Sequence, residues 1–487
     1  MLPQLVNIIS NFILPAFIIG FYGSKINGLI STSKSIISYI SLVGAGIAVA
    51  VTQQLYAPVA KHDDETVKGM LNSASKMFFR YGVIFCVILI LVALIYPFFV
   101  EDSVGHLTVS LLLLVMGLQG ASEFFVVGRC RAILYANQKV YVCTLIQAVS
   151  LLISLGCAIL MIKIETSIIL VQLAISLVYV SRAILLQSYV SKKYPQYKDY
   201  KNSKPIDSAV SKRKDAMLHQ LAGLAVMSSQ SLILTTFVSL EAASIYAVYH
   251  IVFAGISAIC TNISTAITPY LGRGLALDDK KKITKKYDLT ELFFNVLTTF
   301  IFSVCAFMLM PFIMLYTKGA DINYLYQTFG ILFLIAFSFH VLRLPGVAII
   351  NVAGHFKETR IRAIIEAVIC VVISIISTLL IGLEGVLIGT GCALGWRAID
   401  IIVYSNKNIL NRSSLKSIFR AVRCLLIVIL SCVISLKIDL NISSYLSWII
   451  HALIISIIIF VFVAIETIIF ELNLLKGIIV KRENKGK

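Results

Sequence analysis

Apolar runs of about 20 residues recur along the whole chain, and each is long enough to cross a bilayer core as a helix. Short polar stretches separate them and predict fourteen spans. The first six run roughly 2–21, 26–56, 74–99, 105–128, 140–162 and 166–190. The next six run 217–239, 242–272, 289–316, 322–353, 359–382 and 384–405, and the last two 417–437 and 443–473. Several are long enough to require tilted, kinked or extended helices. No long stretch alternates with the period of two that a membrane barrel needs. Helices are then the remaining way for lipid-embedded backbone to satisfy its hydrogen bonds. The pattern therefore predicts an all-α, polytopic membrane protein with about fourteen transmembrane helices.

Composition agrees. Of 487 residues, 59% are hydrophobic and 14% charged, against about 25% charged in soluble domains. The net charge of +18 would raise a nucleic-acid partner in a soluble protein. Here the basic residues lie in short loops, where they set topology and meet anionic lipid headgroups. Loops after even-numbered spans, counted with the span ends that adjoin them, hold 34 Lys and Arg, those after odd-numbered spans four. This asymmetry predicts cytoplasmic N- and C-termini and an even number of spans. The first apolar run lacks the basic flank and small-residue cleavage site of a leader, and reads as span one. The ten cysteines mostly lie inside spans, with no C-x-x-C and no zinc-ligand spacing. They read as small buried hydrophobes, and no metal or cofactor is expected.

The stretch 191–216 carries eight basic residues and two prolines. It reads as a cytoplasmic linker between an N-terminal six-helix lobe (1–190) and a C-terminal six-helix lobe (217–406), with two additional helices and a basic tail in 407–487. The lobes look like a parallel internal repeat. Leu55-Tyr56-Ala57-Pro58, Asp63-Asp64 and Pro97 are echoed by Pro269-Tyr270-Leu271, Asp278-Asp279 and Pro311, at an offset of about 214. Ile146-Gln147-Ala148-Val149 is echoed by Ile365-Glu366-Ala367-Val368. Both copies begin with an odd-numbered span, so the relating axis lies along the membrane normal.

Enzymatic signatures are absent from the sequence: no P-loop, no H-E-x-x-H, no G-x-S-x-G. The pairs Asp63-Asp64 and Asp278-Asp279 lie among lysines and read as solvated, charge-balanced faces. A transporter is expected, not an enzyme.

Ionisable residues at membrane depth are costly and therefore candidates for function. Arg343 lies about twenty residues into span ten, beside the helix break expected from Pro345 and Gly346. A guanidinium there suits an anionic headgroup, which it binds bidentately; the competing reading is an arginine snorkelling to the interface. Arg397 and Asp400 are three apart and Arg362 and Glu366 four apart, spacings that predict intrahelical ion pairs. Arg213, Lys214, Asp215, His219 and Gln220 open span seven, where a helix N-terminus with cations offers a phosphate site or a plain topology signal. His250 and His340 read first as packing histidines. Glu123 and Arg182 read as interfacial. Lys34 and Gln230 are polar positions within spans that would line a cavity or serve packing.

Ordered blocks over about residues 20 to 415 carry a family resemblance. They include Ile26-Asn27-Gly28-Leu29, Leu55-Tyr56 with Pro58, Leu134-Tyr135-Ala136-Asn137-Gln138, Arg213-Lys214-Asp215-Ala216 and Ser244-Ile245-Tyr246-Ala247-Val248-Tyr249. Leu342-Arg343-Leu344-Pro345, Ala353-Gly354-His355-Phe356-Lys357-Glu358-Thr359, Glu366-Ala367, Gly385-Val386-Leu387-Ile388-Gly389-Thr390 and Arg397 continue it. In these the chain resembles the polysaccharide (O-antigen-type, Wzx-like) flippases of the MOP superfamily. The resemblance implies export of an oligosaccharide repeat unit on undecaprenyl diphosphate, from the inner to the outer leaflet of a bacterial cytoplasmic membrane. It implies membrane lipids as surroundings and polysaccharide polymerase and glycosyltransferases as further partners. Arg213, Arg343 and Arg397 match arginines of the family pattern and are the expected cavity or gate residues. His219, Gln220, Gln230 and Lys34 are further substrate-binding candidates, and Glu366, Asp400 and Glu123 are coupling or ion-pair candidates. Two positions depart from the pattern: Gly44 stands where many relatives carry an acid, and Ser228-Ser229-Gln230 where they read Asn-Thr-Asp. The alternatives are a cation-coupled multidrug exporter of the same superfamily and a membrane-embedded polysaccharide-assembly enzyme.

Overall fold

The computed structural model describes the backbone of residues 2–44, 47–100, 104–206, 213–277, 279–438 and 440–483, and their side chains except at 2–5, 8, 49, 213–219 and 473–483. Among the described residues every regular element is helical. Packing divides the chain into two compact units, Met1–Val248 with Gly319–Ile322, and Tyr249–Lys318 with Asn323–Lys487.

The first unit contains α1 (Leu2–Tyr22), α2 (Ser24–Ser41), α3 (Ile47–Ala60), α4 (Asp64–Ile95), α5 (His106–Ser122), α6 (Gly128–Ala136), α7 (Val140–Lys163), α8 (Ile168–Lys193) and α9 (Arg213–Phe237), with the start of α10 (Leu240–Leu277). α7 packs on α1 and α8, and α5 on α4 and α8. The α1–α2 turn needs Gly23, whose φ of +82° is in the left-handed region. The start of α2 is capped from far along the chain. Asp321 accepts from the Ser24 backbone N–H at 3.0 and 3.1 Å and from its hydroxyl at 2.5 Å. The capping carboxylate satisfies a donor that an α-helix leaves open.

The second unit continues α10 and contains α11 (Lys280–Tyr316), α12 (Gln327–Leu342), α13 (Leu344–Ala353), α14 (Phe356–Ile381), α15 (Gly385–Tyr404), α16 (Leu415–Ser435) and α17 (Tyr445–Glu483). Small residues bring α14 and α15 together. A Cβ on Gly385 would strike the backbone of Ser377, and one on Gly389 that of Ser374. The serines close the seam, Ser374 Oγ donating to the Val386 carbonyl at 3.0 Å and Ser377 Oγ to that of Gly385 at 2.7 Å. Close backbone approach with hydroxyl cross-bonds is how membrane helices associate without a hydrophobic driving force between them.

Every predicted span overlaps described helix, span two being divided between α2 and α3, but the spans are not equal. Ten helical stretches among the described residues are long and apolar enough to cross a membrane, one of which, Phe356–Ile409, holds two expected spans. The apolar part of α1, Ile9–Tyr22, is shorter. α2 and α9 fall outside the set because they carry runs of Ser, Thr and Asn. Those polar faces meet: Thr32 and Thr235 hydroxyls lie 2.6 Å apart, and those of Ser31 and Ser231 3.0 Å. The chain is thus a multi-pass membrane protein whose less apolar helices bury their polar faces against each other. Large apolar side chains elsewhere point outward, as Leu94, Leu160, Ile457 and Phe460 do, which suits lipid.

The polar stretch after α8 is not a free tether. Tyr197 and Tyr200 are buried. Asn72 on α4 donates to the carbonyls of Lys201 and Ser203 at 3.2 and 2.6 Å, and Ile206 N–H donates to the Gly69 carbonyl. Residues 207–212 lie outside the described residues. The packing boundary also falls inside α10, not at 191–216, because α9 packs along α2. The packing division and the repeat division expected from the sequence are therefore different partitions of the chain.

Candidate functional site

In the second unit, span ten is interrupted where Pro345 predicts. Arg343 separates α12 from α13, and Pro345 is the second residue of α13. Gly346 has a packing role besides: a Cβ there would strike the Ile401 side chain of α15. The Arg343 side chain meets Glu366 of α14 at 2.5 Å and His340 Nδ1 at 3.1 Å. Arginine only donates, so that imidazole nitrogen accepts. Glu366 also takes Arg397 of α15 at 3.3 Å. Arg397 pairs with Asp400, and Asp400 with Arg362. Arg343, Glu366, Arg397 and Asp400 are all largely buried, while Arg362 is 39% exposed and lies over the Tyr404 ring. Three guanidinium groups share two carboxylates, so the chain of pairs carries one excess positive charge.

The Arg397–Asp400 pair forms as its spacing predicts, whereas the Arg362–Glu366 pair does not. α15 lies so close to α14 that each of those side chains finds a partner across the seam.

The first unit holds a second group. A π-helical turn, Glu123–Val127, joins α5 to α6. Glu123 pairs with Arg131 and, at 3.3 Å, with Arg182 of α8. Glu123 is therefore a bridge between two arginines. Arg129 beside it binds Tyr200 and, at 2.5 Å, Gln187. The other candidates scatter. Lys34 of α2 lines a cavity described below. Gln230 is fully buried on α9 and donates to the Val226 carbonyl of its own helix at 2.6 Å. Gln220 is exposed. The side chains of Arg213 and His219 lie outside the described residues. Gly44 is explained by packing: a Cβ there would strike the Phe124 ring, so a larger side chain has no room beside it.

Sequence reasoning passed over the largest ionic group. Arg420 of α16 is fully buried and forms a two-point pair with Glu471 of α17, both bonds 2.6 Å. It also reaches Glu291 and Asp288 of α11 at 2.9 and 3.2 Å. Arg412 binds Asp288, and Arg423 binds Glu466. Acids within spans nine and fourteen, Glu291 and Glu466, were the available signal. Among the described residues no cluster has the make-up of a metal site.

The helical architecture defines a class. No family model matches the chain, and no curated protein matches it. Solved structures do. A structure of the lipid II flippase MurJ, inward closed, gives a TM-score of 0.70 at 13% identity, covering 97% of this chain and 98% of that one. An inward-facing multidrug resistance MATE family transporter of the MOP superfamily gives 0.65 at 14% identity, covering 84% and 95%. The Vibrio cholerae MATE transporter VcmN in its bent form gives 0.54 at 15%, covering 88% and 96%. The chain therefore has the fold that these membrane proteins share.

Proposed function

We propose that the protein is a flippase for an undecaprenyl-diphosphate-linked oligosaccharide, moving it from the inner to the outer leaflet of a bacterial cytoplasmic membrane by alternating access. One observation carries this reading above the drug-exporter alternative. The likeness to the lipid II flippase runs over 97% of the chain, and the remainder is shorter than α16 alone. The MATE structures cover 84% and 88%. α16 and α17 belong to the part of the fold that this flippase structure shares.

Fourteen crossings, cytoplasmic termini and two six-span lobes related by a parallel repeat are parts of the same proposal. The repeat gains support from spans four and ten, which occupy equivalent places in it. Each is irregular at a charged residue, Glu123 in one and Arg343 in the other. In this reading Arg343 and Arg397 supply positive charge toward a diphosphate headgroup, and Glu366 and Asp400 hold them in place. Arg213 is assigned to the same cation set.

The second reading, a cation-coupled multidrug exporter, rests on the MATE likeness. It wants a carboxylate free to take a cation. Among the described span residues, Glu123, Glu366, Asp400, Glu291, Glu466 and Glu471 are each engaged by arginine, which favours the flippase, whereas Glu384 at the edge of span twelve lines a cavity without an ion pair and is the carboxylate left to the exporter reading.

The test is complementation in a strain lacking its polysaccharide flippase, with wild type and Arg343→Ala at matched membrane levels. Surface polymer restored by the wild type supports the flippase, and its loss in the variant supports the role of Arg343. Drug resistance gained without surface polymer would favour the exporter.

A further inference from the structure

In the first unit, helices α1, α2, α5, α7 and α8 enclose a cavity of about 370 Å³. Its polar lining includes Asn11, Lys34, Gln119, Gln172 and Tyr179. Among the described lining residues Lys34 is the only charged one. It lies on α2 about 15 Å along the helix from Ser24, at 1.5 Å per residue. Its helix neighbours Ser33 and Ser35 are buried while Lys34 is exposed, so its exposure is to the cavity.

Three observations mark the cavity as more than a packing gap. Among the described residues, the Lys34 ammonium has no ion-pair or hydrogen-bond partner. Gln172 is 3% exposed, and its amide has no partner there either. The Ser10 hydroxyl, also in the lining, is buried and unbonded. Buried polar groups are normally satisfied, so two of them, Gln172 and Ser10, beside an unpaired ammonium around one cavity mark a site and not an accident of packing.

The electrostatics select the sign of the ligand. Lysine offers three donors and no acceptor. The neighbouring carboxylate, Glu123, lies one turn beyond Gln119 on α5 and is engaged by Arg131 and Arg182. Arg182 in turn stacks over the Tyr179 ring at 5.1 Å, placing a second cation behind the wall. A cation entering this cavity meets repulsion. An anion meets an ammonium group and amide and hydroxyl donors.

We propose that this cavity is an anion-binding site, in which Lys34 takes the charge of one carboxylate, phosphate or halide and Gln172 donates to it. Two sources offer that chemistry: a free inorganic anion, or an acidic sugar of the exported headgroup. The second source rests on the flippase reading; the site itself does not.

Calorimetric titration of the purified full-length protein in lipid nanodiscs tests it, with sodium chloride, sodium phosphate and sodium glucuronate as probes and glucose as the neutral control. Binding of chloride or phosphate identifies a free anion. Binding of glucuronate alone identifies an acidic sugar. In either case Lys34→Gln weakens binding at least about tenfold, the loss expected for one charge-assisted contact. Lys34→Arg, which keeps the charge, stays within about threefold of wild type. Gln172→Leu weakens binding while leaving Lys34 in place, separating ligand contact from misfolding of the lysine variant. The proposal is overturned if monodisperse wild type binds none of the three anions, or if Lys34→Gln binds them as wild type does. Because transport is not measured, failed complementation with intact anion binding sinks the flippase and leaves the site standing.

Discussion

Arg420 and Glu471 face each other across α16 and α17 with two parallel hydrogen bonds of 2.6 Å, both side chains at or below 5% exposure. Three further acids, Asp288, Glu291 and Glu466, and two further arginines, Arg412 and Arg423, gather around this pair. The two C-terminal helices are thus fastened to α11 by charge as well as by apolar contact.

Removing the hub leaves buried carboxylates without a counter-charge. Arg420→Ala is expected to destabilise the protein by about 3–5 kcal/mol, the usual result of breaking one side of a buried ion pair. Lys416→Ala, at the exposed rim of the same group and 3.8 Å from Asp288, should change little. Thermal unfolding of the two detergent-purified variants, side by side, gives the comparison. Equal midpoints would show that the pair contributes nothing to stability.

Gly389 tests the α14–α15 seam. Gly389→Val drives a branched side chain into the Ser374 backbone, with an expected penalty above about 3 kcal/mol, since backbone cannot rotate away as a side chain does. Gly156, in the middle of α7 with open space around it, is the matched control. Gly156→Ala should be neutral or slightly stabilising through the unfolded chain. Size-exclusion profiles after membrane extraction separate the cases, and a monodisperse Gly389→Val would refute the seam.

Gly44→Glu places an acid at a position that packing reserves for glycine, and it should lower folded yield, because Phe124 occupies the space. Phe124→Ala in the same chain opens that space and should recover yield. Fluorescence of a C-terminal reporter in sorted membranes reads both. Undiminished yield of the single variant would mean that the ring moves aside freely.

Asn72→Ala removes two hydrogen bonds to the carbonyls of the docked segment, an expected loss of about 1–3 kcal/mol of local anchoring. Trypsin should then cut faster after Lys198 and Lys201, and only in inverted vesicles if the segment is cytoplasmic. Unchanged cleavage in the variant would make the docking incidental. Cleavage confined to right-side-out vesicles would reverse the proposed orientation.

The position of helices was readable because each apolar run is long against the bilayer thickness, and the break at Arg343 because Pro345 removes a backbone donor. The candidates Arg343, Glu366, Arg397 and Asp400 were readable one at a time, as charges where charges are costly. Their partners were not. Helical spacing favours Arg362–Glu366, and only the closeness of α15, set by Gly385 and Gly389, makes the cross-helix pairs better. The docking of Tyr197 and Tyr200 was hidden because lysine-rich composition resembles a linker whether or not its backbone carbonyls find partners. Arg420 was passed over because it stands among other basic residues at the start of span thirteen and reads as part of the topology signal; its acids are 51, 129 and 132 residues away.

Asp321, which caps the start of α2, is 297 residues downstream of Ser24. At a synthesis rate of about 5–20 residues per second, the ribosome reaches Asp321 roughly 15–60 s after Ser24. During that interval the first unit sits in the membrane with the end of α2 uncapped. Nascent chains halted before residue 321 therefore carry an incomplete first unit, however many of its helices have already inserted, and the start of α2 takes its acceptors from water or lipid headgroups until the α11–α12 connection emerges.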